Sequence, residues 1–214
     1  MIEEVKERLA LVRERIARIR NPSDIVIVAV TKGFAAETCR AALAAGLTVL
    51  GENRVHEAKL KMDELPEAEW HLIGHLQTNK VRQAAGRFAL IHSVDSVRLA
   101  AELAKIDPKQ AVLLEVNVAR EAQKSGADPD RALEAVTAIS SLLQLRGLMA
   151  MGPSHGDSGS AFRELRQLRD AAEQRLGKSL PVLSMGMSGD FEVALKEGST
   201  MLRLGQALFG PRPS

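Results

Sequence analysis

Tyrosine is missing from all 214 residues, and cysteine occurs once, as Cys39. One cysteine excludes an internal disulfide, so a reducing, cytoplasmic setting is the expected compartment. The missing tyrosine removes one of the side chains that serve as catalytic acid or base. No apolar run approaches the length of a membrane span, and Met1 opens a charged amphipathic segment rather than a signal peptide. Blocks of like charge are absent too. With a net charge of +2, neither a nucleic-acid surface nor a polybasic membrane surface is expected. Arg13, Arg15, Arg18 and Arg20 cluster, but Glu3, Glu4, Glu7 and Glu14 are interleaved with them, which describes a solvated helix face.

What is present is an ordinary globular composition, 45% apolar and 26% charged, in a chain long enough to bury a full core. Ile2, Val5, Leu9, Val12, Ile16 and Ile19 recur at steps of three and four, predicting an N-terminal helix with one apolar stripe, stopped at Asn21-Pro22-Ser23. Strand-like runs follow at 25–31, 47–51, 70–74, 89–94, 111–118, 145–151, 181–185 and 201–205. Helix-like stretches fall between them at 36–45, 54–65, 79–85, 96–105, 129–140, 160–176 and 189–197. The strands are continuously apolar rather than alternating, the mark of a parallel sheet covered on both faces. Eight βα units predict a single α/β domain over residues 1–214, a (β/α)8 TIM barrel with an additional N-terminal helix. An open doubly wound sheet is the alternative, but no G-x-G-x-x-G follows the first strand. The eighth unit has almost no helix, and the N-terminal helix is placed to cover that gap. The one flexible-looking segment, 152–160, falls in the loop after strand six.

Active sites of such barrels lie at the C-terminal ends of the strands. Those ends carry Lys32, Glu52 with Asn53, His75 with Gln77, Ser93, Asn117, Met149 with Met151, Ser188, and Arg203 with Gly205. Lys32 leaves a buried run straight into Gly33, a setting for an amine nucleophile as well as for a snorkelling surface lysine. The loop Ser188-Gly189-Asp190 opens a helix with cap-type residues, and Gly205 with Gln206 permits close approach of a ligand to the backbone. Loops after strands seven and eight are the habitual phosphate site of this fold. A lysine facing a phosphate site suits a Schiff base with a phosphorylated aldehyde. Pyridoxal phosphate is a cofactor with that requirement, and a cofactor-free aldolase acting on a sugar phosphate shares it.

The segments VAVTKG (28–33), GENRVHEA (51–58), WHLIGHLQTNK (70–80), the N…E…KSG run within 117–126, GLMAMGP (147–153), MGMSGDFEVAL (185–195) and LRLGQALFG (202–210) span almost the whole chain. In combination they resemble the pyridoxal phosphate homeostasis protein family, relatives of the alanine racemase barrel domain. The resemblance implies a cofactor held on Lys32, with Ser188, Gly189, Gly205 and Gln206 around its phosphate and Arg203 facing the pyridine nitrogen. Asn53, His75 and Met149 would line the ring. It further implies a carrier or regulator of vitamin B6 with no catalytic residue, passing cofactor transiently to apoenzymes that use it. His56 and Leu195 stand where glutamine and isoleucine are expected, away from these contacts.

Chemistry bears on the choice between carrier and enzyme. An arginine opposite the pyridine nitrogen disfavours its protonation and weakens the ring as an electron sink. A two-base racemase, the alternative function, needs a second acid/base. Alanine racemases use a tyrosine and a second, β-rich domain, and this chain has neither, leaving His75 as the substitute. No metal is expected: His71 and His75, four apart on a strand, are roughly 13 Å apart. Cys39 reads as core, and Met185 and Met187 as packing. Lys124 reads as solvated surface, with a second aldehyde-capturing amine as the alternative. A lone barrel domain accords with a monomer.

Overall fold

The computed structural model describes residues 1–211. Its eight strands are β1 (Val26–Val30), β2 (Val49–Glu52), β3 (Glu69–Leu72), β4 (Leu90–Val94), β5 (Ala111–Glu115), β6 (Gln144–Met149), β7 (Val182–Ser184) and β8 (Met201–Leu204). All pair in parallel and in chain order, and the β1–β8 pair closes the barrel. Around it stand α2 (Ala36–Ala44), α3 (Val55–Met62), α4 (Val81–Ala84), α5 (Val97–Ala104), α6 (Ala132–Leu142), α7 (Ser158–Leu176), α8 (Phe191–Lys196) and the four-residue α9 (Gln206–Phe209). Among the described residues no helix is long and apolar enough to cross a membrane.

The continuous apolarity of the strands divides between two cores. Inward-pointing Val28, Leu90, Leu113, Met149 and Met201 fill the barrel, while alternate positions such as Ala29, Leu50, Ile91, Leu148 and Leu202 pack outward against the helices. Helix α1 (Ile2–Ala17) buries Val5, Leu9, Val12 and Ile16, its predicted stripe. That stripe packs against α9, α8 and α2, so α1 covers the sector that the short α9 leaves open. Arg15 secures it, with Nε 3.0 Å from a Glu192 carboxylate oxygen and the guanidinium 4.4 Å over the Phe191 ring.

Strand boundaries differ from expectation where tertiary pairing ends before the apolar run does. The run at 111–118 is strand only to Glu115, because Ala127 donates its N–H to Glu115 O and accepts that of Asn117, folding the chain back. The glycine-rich loop after β6 is tied down on that side. Ser154 bonds through its N–H and hydroxyl to the Glu121 carboxylate (2.7 and 2.8 Å), and Asp157 caps α7 by accepting from the N–H groups of Gly159 and Ser160.

Candidate functional site

A cavity of about 750 Å³ opens at the C-terminal ends of the strands, within the size range of small-ligand sites. Pleat alternation carries Val28 inward, then Val30, then Lys32, and the last two line the cavity. Gly33, at φ 73°, turns the chain immediately afterwards, a left-handed conformation that suits glycine. Asn53 lines the wall beyond β2, and His75 stands exposed at the rim with Nδ1 3.3 Å from Asp95 Oδ2.

Across the cavity lie the loops after β7 and β8. Ser188 is not the helix cap its sequence suggests. Asp190 holds the N-cap position of α8, and the Ser188 hydroxyl instead accepts the Ala207 N–H at 3.0 Å, joining the two loops. Gly189, Gly205 and Gln206 complete this wall. A Cβ on Gly189 would meet no atom of the chain within 4 Å, so packing does not require glycine there. Gly205 sits against Val30, whose carbonyl oxygen would be 3.3 Å from such a Cβ.

Arg203 forms part of the floor and is 5% exposed. Nη1 donates to Ser184 O and Ser184 Oγ, both at 2.7 Å, and Nη2 donates to Ala150 O at 2.8 Å. Burial pulls its pKa down to about 10, while Glu115 and Asp190 act to raise it. The guanidinium therefore remains charged at neutral pH.

Eight of the nine expected site residues thus share one cavity; Met149 does not line it. It is 1% exposed and packs with Val28, Leu90, Leu113 and Met201 inside the barrel, because β6 carries the inward face one pleat further, to Met151, which does line the cavity. Two polar side chains of the lining, Glu115 and Ser125, were not expected. Glu115, 2% exposed, accepts a 2.9 Å hydrogen bond from the Ser125 hydroxyl, which lines the cavity too. Burial pushes the Glu115 carboxyl up, and Asp95 adds to the rise, against the Ser125 bond, Arg203 and His75. An acid closing an otherwise apolar strand was the available signal, hidden because the run was read on to Val118. Lys124, the suggested second amine, donates to Gly152 O at 2.7 Å and pairs with Glu121 at 3.1 Å.

The fold is a (β/α)8 barrel, and its cavity is a candidate small-ligand site lined by an amine, a buried guanidinium and a pair of glycine-bearing loops. A family model described as "Alanine racemase, N-terminal domain" matches residues 7–213. A pyridoxal phosphate homeostasis protein of Aquifex aeolicus is 41% identical over 96% of this chain and 97% of its own length. One of Escherichia coli is 34% identical over 99% and 98%. Among solved structures, PipY of Synechococcus elongatus is 36% identical, with TM-scores of 0.88 without PLP and 0.86 with PLP bound, covering 96% of this chain and 100% of that one. An alanine racemase of Clostridium difficile shares the fold at 15% identity and TM-score 0.78, this chain covering 60% of its length. The chain belongs to the alanine racemase N-terminal domain family, alongside the pyridoxal phosphate homeostasis proteins.

Proposed function

We propose that residues 1–214 form one unit that binds pyridoxal phosphate as a Schiff base on Lys32. It would work in the cytoplasm as a carrier or regulator of vitamin B6, a monomer that passes cofactor transiently to apoenzymes. One observation carries the reading. Lys32, beyond β1, shares a cavity with Arg203 on β8 and with the Ser188–Ala207 seam between two glycine-bearing loops. The residues fit the group: an amine for its aldehyde, open space at Gly189 for its phosphate, and a cation for its ring edge. PLP-bound PipY and the names of the relatives support the same cofactor. When bound, the cofactor supplies an electrophilic carbon and a conjugated ring able to accept electrons.

Three N–H donors of Arg203 are engaged by Ser184 and Ala150, so the guanidinium is oriented as well as charged. Facing the pyridine nitrogen, it would disfavour protonation there and limit carbanion chemistry. Lys32 would hold the aldehyde, Gly189, Gly205 and Ser188 would contact phosphate, and Asn53, His75 and Met151 would border the ring. Purified protein mixed with pyridoxal phosphate should turn yellow, and borohydride should fix the cofactor on the peptide bearing Lys32, with no label in Lys32→Ala. Gly189→Ala should weaken binding while leaving the fold intact. A colourless protein, unlabelled at saturating cofactor, would reject the proposal.

Glu115 favours a second reading, an amino-acid racemase. A buried carboxyl on the cavity wall is an acid/base candidate in addition to His75. This reading predicts deuterium exchange at the α-carbon of an amino acid, lost in Lys32→Ala and reduced in Glu115→Gln. No exchange across a panel of amino acids would exclude it.

A further inference from the structure

The barrel interior is apolar around Val28, Leu90, Leu113, Met149 and Met201, yet it also holds two buried histidines and a serine. They form a continuous file of hydrogen bonds. Arg203 Nη1 contacts Ser184 Oγ at 2.7 Å, Ser184 Oγ contacts His92 Nδ1 at 2.9 Å, and His92 Nε2 contacts His71 Nδ1 at 3.0 Å. His71 Nε2 then reaches Glu69 Oε1 at 2.9 Å, on a half-exposed residue at the start of β3. The file thus begins at Glu69 on the N-terminal side of the barrel and ends at the cavity floor. None of Glu69, His71, His92 or Ser184 lines that cavity.

Counting hydrogens gives its direction from the Glu69 end. The bond from His71 lowers the Glu69 pKa, so Glu69 is a carboxylate and accepts, and His71 must carry its proton on Nε2. With one proton on each imidazole, His71 Nδ1 is then an acceptor, which makes His92 Nε2 the donor and His92 Nδ1 an acceptor. At the other end, Arg203 can only donate to Ser184 Oγ, and the serine hydrogen stays available for His92 Nδ1. The two ends are compatible. A proton added at His71 Nδ1 would set donor against donor between the rings, and one added at His92 Nδ1 would turn the Ser184 hydrogen away. Burial, His71 and Arg203 each hold His92 well below the ordinary histidine value, in keeping with a neutral ring. Two imidazoles are a costly way to fill a barrel unless their polar atoms are used.

We propose that Ser184, His92 and His71 are positioning residues that orient Arg203 against the cofactor ring through this one-directional file, anchored at Glu69. The proposal rests on the cofactor reading above. Without the imidazole, the Ser184 hydroxyl is free to turn, and the guanidinium loses one fixed acceptor. Cutting a bond to a charged group should then weaken pyridoxal phosphate binding about tenfold.

Two measurements on the full chain test it. Histidine 15N NMR without cofactor should find both His71 and His92 as neutral Nε2–H tautomers. Titration with pyridoxal phosphate should show about tenfold weaker binding in His92→Leu and in Ser184→Ala, with affinity largely restored in His92→Asn, which keeps an acceptor beside Ser184. In an Arg203→Gln background the same two substitutions should cost less than about twofold, because the residue they act through is gone. Equal losses in both backgrounds, or no loss in the parent, would overturn the positioning role, as would an Nδ1–H tautomer at His92. If His92→Leu fails to fold, Ser184→Ala, which deletes one oxygen, decides the matter. A parent chain that binds no cofactor would overturn the site reading and the relay's ligand together; a wrong tautomer with binding intact overturns the relay alone.

Discussion

Glu115 has a carboxyl that is costly to ionise. Burial raises its pKa above the usual carboxylate range, so the folded chain holds that proton more tightly than the unfolded chain does. Stability from this group is therefore full below the unfolded pKa and is lost as pH rises through the folded one. Glu115→Gln keeps an acceptor for the Ser125 hydroxyl and removes the charge. The variant should be more stable than the parent at neutral pH, with the gain vanishing as pH falls through the carboxylate range. Denaturant midpoints across that range would show it, and a gain independent of pH would contradict it. At this scale the lining of the candidate site was largely legible, because polar residues and glycine-bearing loops at the C-terminal strand ends face the mouth of such a barrel. Met149 and Met151 show the limit. Both point inward, and only the height at which β6 stops pairing tells the buried one from the lining one.

The elements were legible wherever periodicity and burial agree. Helix α1 is the clearest instance, since its stripe of steps three and four is the face that covers the barrel. Two leucines on it test that assignment. Leu9 is 2% exposed in the core, and Leu11, two residues on, is 59% exposed. Leu9→Ala should cost about 3 kcal/mol of unfolding free energy through lost burial and the cavity left behind. Leu11→Ala should stay within about 0.5 kcal/mol of the parent. Comparable losses in chemical denaturation would mean that α1 does not dock by this face. Element ends were harder to read. The strand at 111–118 stops early because Ala127 takes both neighbouring backbone partners, and Ser188 leaves the cap of α8 to bond Ala207. Both outcomes depend on residues distant in sequence, which local propensity does not encode.

Closure is a property of the whole molecule, and the site straddles it. The seam pairs β1 with β8, with Val28 opposite Arg203; Lys32 follows β1 by two residues, and Arg203 lies on β8. A ligand held by both would bridge the first and last strands, so its binding energy should act on the barrel as a unit rather than on one loop. The closed strand order also leaves no subset of strands with a complete core, which favours a single unfolding transition. Trp70, the sole tryptophan, is buried with the outward-facing core on β3 and donates its indole N–H to Leu65 O at 3.3 Å. Its fluorescence therefore reports on β3, which one strand separates from the β1–β8 seam. Thermal unfolding followed by Trp70 emission and by far-ultraviolet circular dichroism should give coincident curves. Pyridoxal phosphate at about a hundred times its dissociation constant should raise both together by roughly 5–10 °C, the shift expected of about 2.7 kcal/mol in a chain of this size. Lys32→Ala should lose most of that rise. Curves that separate, or a ligand shift seen by one probe alone, would mean that the seam and the rest of the barrel unfold independently and that the cofactor stabilises a part rather than the whole.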